Sequence, residues 1–162
     1  MARTDFQHVR TTAYTSSESD HRAYGSSNAL GGHLHAAGAA IHRAEVTRGK
    51  KRIAIAKTPK IGSAAADWSR WPAGTTFRLL STGQIYRVDD YGWALSGRNT
   101  IDLYMANRRE MNTWGVRQEP IQILHWGDPQ ESLRLLGPHD QHKHIRRMIL
   151  ELQGHDAEAA TL

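Results

Sequence analysis

Ser63 to Tyr104 runs SAAADWSRWPAGTTFRLLSTGQIYRVDDYGWALSGRNTIDLY: short β-forming segments punctuated by aspartate, glycine and proline. Ser63–Ala66, Thr75–Leu80, Gln84–Asp89 and Ile101–Tyr104 each read as a strand. Ser81-Thr82-Gly83 supplies a hairpin turn between the second and third. Four carboxylates sit at the ends or faces of these strands: Asp67, Asp89, Asp90 and Asp102. Side chains alternate along a strand, so Asp102 points away from the apolar Ile101 and Leu103. If its face lines a cleft, Asp102 is a chemical group. Alternation also predicts that Asp89 points away from Asp90, should the strand continue through both.

Outward from this block, Gln7–Thr15 reads as a first strand, with Val9, Thr11, Ala13 and Thr15 alternating against Arg10, Thr12 and Tyr14. Residues 16–32 read as turn and polar loop. His33-Leu34-His35 and His42 suggest either a surface strand or part of a metal site, and no third ligand has a recognisable spacing. Glu45–Lys60 is the most basic stretch, with Arg48, Lys50, Lys51, Arg52, Lys57 and Lys60 around the strand-like Ile53–Ala56. It reads equally as a rail for an anionic polymer and as a solvated hairpin. Downstream, Asn107 is placed to cap a short helix that ends at Gly115, with Glu110 three residues on. Pro120–Trp126 reads as a closing strand, with Ile121 and Ile123 on one face. Asp140 is placed to start a helix that carries Ile145, Met148, Ile149 and Leu152 at helical spacing and stops at Gly154. His139, His142 and His144 crowd its start, and a solvent-facing role outweighs a metal there.

Composition limits the function classes. The chain has 162 residues, 39% hydrophobic, 14 glycines and five prolines, which fits one turn-rich domain with a modest core. A net charge of +5 favours an acidic partner, whether nucleic acid, anionic lipid or acidic wall polymer. There is no aromatic-basic repeat of the RNA-binding kind, so no nucleic-acid partner is expected. With no cysteine, the chain has no disulfide, no thiolate zinc site and no cysteine nucleophile. No run of about 18 apolar residues is present, so no transmembrane helix is expected. The opening Met1–Asp5 lacks the apolar core of a signal peptide.

A scattered aspartate set has three readings: a divalent-metal site, an acid/base pair acting on a glycosidic bond, or a structural hydrogen-bond knot. A calcium loop of the EF-hand kind needs its ligands on one loop. Here they lie on separate strands, which suits proton chemistry better. Carboxyls held close cannot all ionise easily, and the one that keeps its proton can donate to a glycosidic oxygen. Trp68 and Trp71, around Ser69-Arg70, read as one core plug and one wall of a sugar cleft.

Four pieces in order carry a resemblance. They are Asp67, Pro72-Ala73-Gly74-Thr75, Asp90-Tyr91-Gly92-Trp93-Ala94-Leu95-Ser96-Gly97 and Ile101-Asp102-Leu103-Tyr104, and Thr12-Ala13-Tyr14-Thr15 fits as the opening strand. Together they resemble the three-aspartate or "3D" domain. That domain is found in membrane-bound lytic transglycosylase A and in the stationary-phase survival cell-wall lytic proteins. The resemblance covers Val9 to Leu124. The chain departs from the pattern in having Asp67-Trp68 for Asp-Pro, Asp90-Tyr91-Gly92-Trp93 for Asp-Thr-Gly-Gly, and one extra residue between Gly97 and Ile101.

The resemblance implies a mainly β fold, a six-stranded double-psi β-barrel with short peripheral helices and a C-terminal helix. The expected division is a flexible N-terminus (1–6), the barrel (7–126), a helical extension (127–155) and a disordered tail (156–162). It implies cleavage of the β-1,4 bond between N-acetylmuramic acid and N-acetylglucosamine in peptidoglycan, giving a 1,6-anhydro product without added water. By matched position Asp102 is the acid and base, Asp90 tunes it and supports the positive charge at C1, and Asp67 holds the third corner. Thr15, Gly92, Trp68, Trp71 and Trp93 are the expected substrate contacts. No metal or cofactor is implied, and the partner is the peptidoglycan glycan strand. The resemblance places the protein in the cell envelope or outside the cell; without a leader in this sequence, a cytoplasmic product is the other expectation. The alternative function is a non-catalytic, expansin-like polysaccharide-binding module.

Overall fold

The computed structural model describes residues 4–16, 26–38, 41–44, 53–56 and 60–160. The chain is mainly β, with eight strands and three α-helices in those residues. The strands are β1 (Phe6–Tyr14), β2 (Ile41–Ala44), β3 (Ile53–Ala56), β4 (Gly62–Ala65), β5 (Thr76–Leu79), β6 (Ile85–Asp90), β7 (Thr100–Tyr104) and β8 (Arg117–His125). The helices are α1 (Arg108–Trp114), α2 (Pro129–Leu136) and α3 (Lys143–Ala160).

Six strands close into a barrel in the order β1-β7-β4-β6-β5-β8, with β8 returning to β1. Two neighbouring pairs are parallel, β1 with β7 and β4 with β6; the other four are antiparallel. Closure leaves the barrel no free edge. The interior follows from alternation. Val9, Ala64, Phe77, Leu79, Tyr86, Val88, Ile101, Leu103, Ile121 and Ile123 are all buried in one cluster. Phe77 and Tyr86, paired across β5 and β6, stack at 5.8 Å. Gly62 is required by close approach, since a Cβ there would stand 2.7 Å from the Tyr86 ring and 2.8 Å from the Ala37 nitrogen.

β2 and β3 form a separate antiparallel pair. Arg48, Lys50, Lys51, Arg52 and Lys57 of the basic stretch lie outside the described residues. Helix α1 has the expected ends: Asn107 accepts from the Glu110 amide, and Gly115 takes φ 65°. Asp128 caps α2 by accepting from the Gln130 amide.

Two boundaries differ from the sequence reading. Order begins before residue 7, because the Ile123 amide donates to the Asp5 carbonyl and the Trp126 indole to Asp5 Oδ1. At the other end α3 runs past Gly154 to Ala160. Gly154 is not among the glycines with positive φ, and the residues beyond it, Asp156-Ala157-Glu158-Ala159-Ala160, include good helix formers. α3 packs on the barrel through the buried Ile145, Met148 and Leu152, and Met148 Sδ accepts from the Trp68 amide at 3.3 Å.

Candidate functional site

The outward faces of four adjacent barrel strands carry the polar cluster. On β1 and β7, Thr12 stands opposite Asp102 and Tyr14 opposite Tyr104. On β4, Ala65 stands opposite Asp102 on one side and Asp90 on the other. Thr12, Asp102, Ala65 and Asp90 therefore form one row across the sheet. Two strand spacings put the α-carbons of Asp90 and Asp102 roughly 10 Å apart, with only the Ala65 methyl between them.

A break in register explains Asp89. Ala64 pairs with Val88, but Ala65 pairs with Asp90, so Asp89 is passed over. Two residues of β6 face one of β4, which is a bulge, and a bulge suspends alternation. Asp89 thus bonds on the same side as Asp90, where a continuous strand would have turned it away. Its Oδ2 accepts from Ser63 Oγ at 2.6 Å and from Asn28 Nδ2 at 3.3 Å. Its Oδ1 is buried with no hydrogen-bond partner among the described residues. Burial first, and Asp90 among the lesser causes, raise its carboxyl from 3.8 to about 6, against the opposing pull of Ser63. An orphan oxygen on a buried carboxyl suits the protonated form, whose O–H does not need a charge solvated.

Tyr14 and the Ala29 amide hold Asp90. The Tyr14 hydroxyl donates to Asp90 Oδ2 at 3.3 Å, and the Ala29 amide donates to Asp90 Oδ1 at 3.2 Å. Burial and then the fields of Asp90, Asp89 and Asp102 push the Tyr14 phenol well above its usual value. All three carboxyls therefore act on one hydroxyl. Thr12 Oγ1 donates to Asp102 Oδ1 at 2.9 Å, and Asp102 is half-buried. A small apolar cluster of Tyr14, Leu34, Ala65, Leu95 and Tyr104 surrounds the group, with the Tyr14 and Tyr104 rings edge to face at 5.5 Å.

Residues 26–38 lie against this face. The Ser63 amide donates to the His35 carbonyl, and the His35 amide donates to Ser63 Oγ. Asn28 Oδ1 accepts from the Leu30 and Gly32 amides while its Nδ2 reaches Asp89. Among the described residues no three histidine or acidic side chains are grouped to hold a metal ion.

Asp67 is not part of the convergence. It is 2% exposed, and its oxygens are spent locally: Oδ1 on the Ser69 amide and hydroxyl, Oδ2 on the Gly97 amide at 2.6 Å. It staples the 67–71 turn to the loop between β6 and β7, so both oxygens of the expected third corner are engaged in hydrogen bonds there. The Ser96 hydroxyl donates to the His144 carbonyl, and Arg70 donates to the Gly97 carbonyl, on that same loop.

The expected sugar contacts divide. Trp68 and Trp71 are both buried, with their indoles donating to the Asp90 carbonyl and to Gln7 Oε1, so both are plugs and neither walls a cleft. Thr15 is 2% exposed and offers no surface to a ligand. Gly92 is half-buried; its carbonyl accepts from the Leu95 amide, and it does not take positive φ. Trp93 is 72% exposed and remains an available aromatic face on the loop that begins beyond Asp90.

Tyr14, Ser63 and Asn28 were not expected at the site. For Tyr14 the signal was present, since alternation sets it on the face of Thr12 and opposite Thr15. Nothing in the polar loop singled out Asn28. No protein-family model matches the chain, and no curated protein matches it.

Proposed function

We propose that the chain is a peptidoglycan lytic transglycosylase on a double-psi β-barrel. The observation that carries the reading is the row in which Asp90 and Asp102 flank Ala65 on adjoining strands, with Tyr14 bonded to Asp90 and Thr12 to Asp102. Two parallel pairs within a closed, otherwise antiparallel six-stranded barrel support the double-psi topology. The ordered resemblance from Asp67 to Tyr104 supports the substrate. Asp102, half-buried and oriented by Thr12, is the residue that protonates the glycosidic oxygen and then takes the proton of the muramic C6 hydroxyl. Asp90, fixed by Tyr14 and the Ala29 amide, faces the positive charge that develops at the anomeric carbon. Asp89, whose carboxyl burial raises to about 6, adds a group beside Asp90 that takes up a proton in mildly acidic solution.

Incubation of sacculi with the protein, followed by mass spectrometry of the soluble muropeptides, tests the reading. The expected product ends in 1,6-anhydromuramic acid, and Asp102→Asn should lower its rate by ~10²–10⁴-fold. Reducing-end products would make the protein a hydrolase. Wall binding without soluble product, equal for the parent and Asp102→Asn, would make it the expansin-like binding module.

A further inference from the structure

An open groove of about 360 Å³ lies on the barrel beside the aspartate cluster, lined by Arg10, Arg98, Asn99, Thr100 and Gln118. Its construction is simple. Arg10 of β1 pairs with Thr100 of β7 on one side and Gln118 of β8 on the other, so the three form a row. The Arg10 amide donates to the Asn99 carbonyl, and Asn99 Nδ2 donates to the His8 carbonyl, which fixes the groove's rim to β1. The lining carries two guanidiniums, two carboxamides and a hydroxyl, and no carboxylate. Neither Arg10 nor Arg98 has an acidic partner among the described residues. The Arg10–Thr100 pair precedes the Thr12–Asp102 pair by two residues on the same strands and the same face. Two residues of strand span about 7 Å. The groove thus lies one side-chain repeat along the same strands from the acidic row, and its lining is opposite to that row in charge.

We propose that this groove is the subsite for a carboxylate carried by the peptidoglycan strand on which Asp102 acts, on its sugars where they bear no stem or on the stem itself. The inference rests on the transglycosylase reading and adds the feature by which the substrate is oriented. An arginine fork matches a carboxylate bidentately, and the neighbouring amides supply further donors. The same carboxylate is repelled by Asp90, so a strand laid across the face has one favoured direction. Neutral sugars lack the handle and gain nothing from the groove.

Amide shifts of the ¹⁵N-labelled full chain, titrated with N-acetylmuramic acid, N-acetylglucosamine and glycerol phosphate, test this. N-acetylmuramic acid should move the signals of Arg10, Asn99 and Gln118 and bind about tenfold more tightly than N-acetylglucosamine. Arg10→Gln with Arg98→Gln should abolish that difference, and the unchanged remainder of the spectrum reports that the fold is intact. Asp102→Asn should leave it in place. Equal binding of the two sugars, or an acid preference that survives the double variant, overturns the proposal. Preference for glycerol phosphate overturns the carboxylate assignment. Groove binding as expected while sacculi stay intact upholds the subsite and removes the catalytic reading alone.

Discussion

Asp89 is a carboxyl that the fold prefers neutral. Its folded value, about 6, lies above the unfolded 3.8, so the native state binds the proton more tightly. The stabilisation is fully present below about pH 4, is lost as pH rises through 6, and then levels off. Two pH units correspond to about 3 kcal/mol. Asp89→Asn removes the ionisation and keeps the shape. Its unfolding free energy in urea relative to the parent should therefore improve from pH 4 to pH 7.5, by up to that amount. An offset between the two proteins that does not change with pH would show that Asp89 ionises without penalty. Asp67 calls for a different expectation. Asp67→Ala strips the acceptor from the Ser69 and Gly97 amides, and buried donors left unpaired cost on the order of 2–4 kcal/mol together. The variant should melt early yet, on the transglycosylase proposal, cleave sacculi within about tenfold of the parent at low temperature. A loss as deep as that of Asp102→Asn would restore Asp67 to the chemistry.

Among the elements, α3 braces the turn after β4 and the loop after β6. It seats Met148 on Trp68, accepts from Ser96 at His144, and covers Gly97, where a Cβ would stand 2.3 Å from Arg147. Gly97 also holds φ 77°, a region costly for any other residue. Met148→Ala should destabilise by about 2–5 kcal/mol in chemical unfolding. A change below about 0.5 kcal/mol would mean that the helix is not integral to the fold. The sequence disclosed this helix through its apolar spacing and α1 through its cap, because both signals are local. The bulge in β6 was hidden for the opposite reason. Whether β6 continues through Asp89 depends on which residue of β4 faces it, and Val88-Asp89-Asp90 looks the same either way. The same holds for Trp68 and Trp71, whose burial is set by α3 and by Gln7 and not by their own neighbours in sequence.

For the molecule as a whole, the transglycosylase proposal and the +5 charge together predict sacculus binding that weakens as salt rises from about 50 to 500 mM, since exposed charges are screened. Binding indifferent to salt would assign the affinity to the exposed Trp93. No helix among the described residues is long and apolar enough to cross a membrane. The barrel itself was legible as short strands with turns, but the order of those strands was not, because pairing between distant segments leaves no local mark. That order has a consequence in time. β1 is the first strand made, and both its partners, β7 and β8, come from the far side of the chain. Residues 15–99 must be synthesised before β7 begins, which at ~5–20 residues per second takes roughly 4–17 s. Throughout that interval the strand bearing Thr12 and Tyr14 has neither barrel neighbour. The emerging polypeptide therefore carries its own unmatched template for intermolecular pairing, and a holdase that shields the first fifteen residues should raise the yield of native protein.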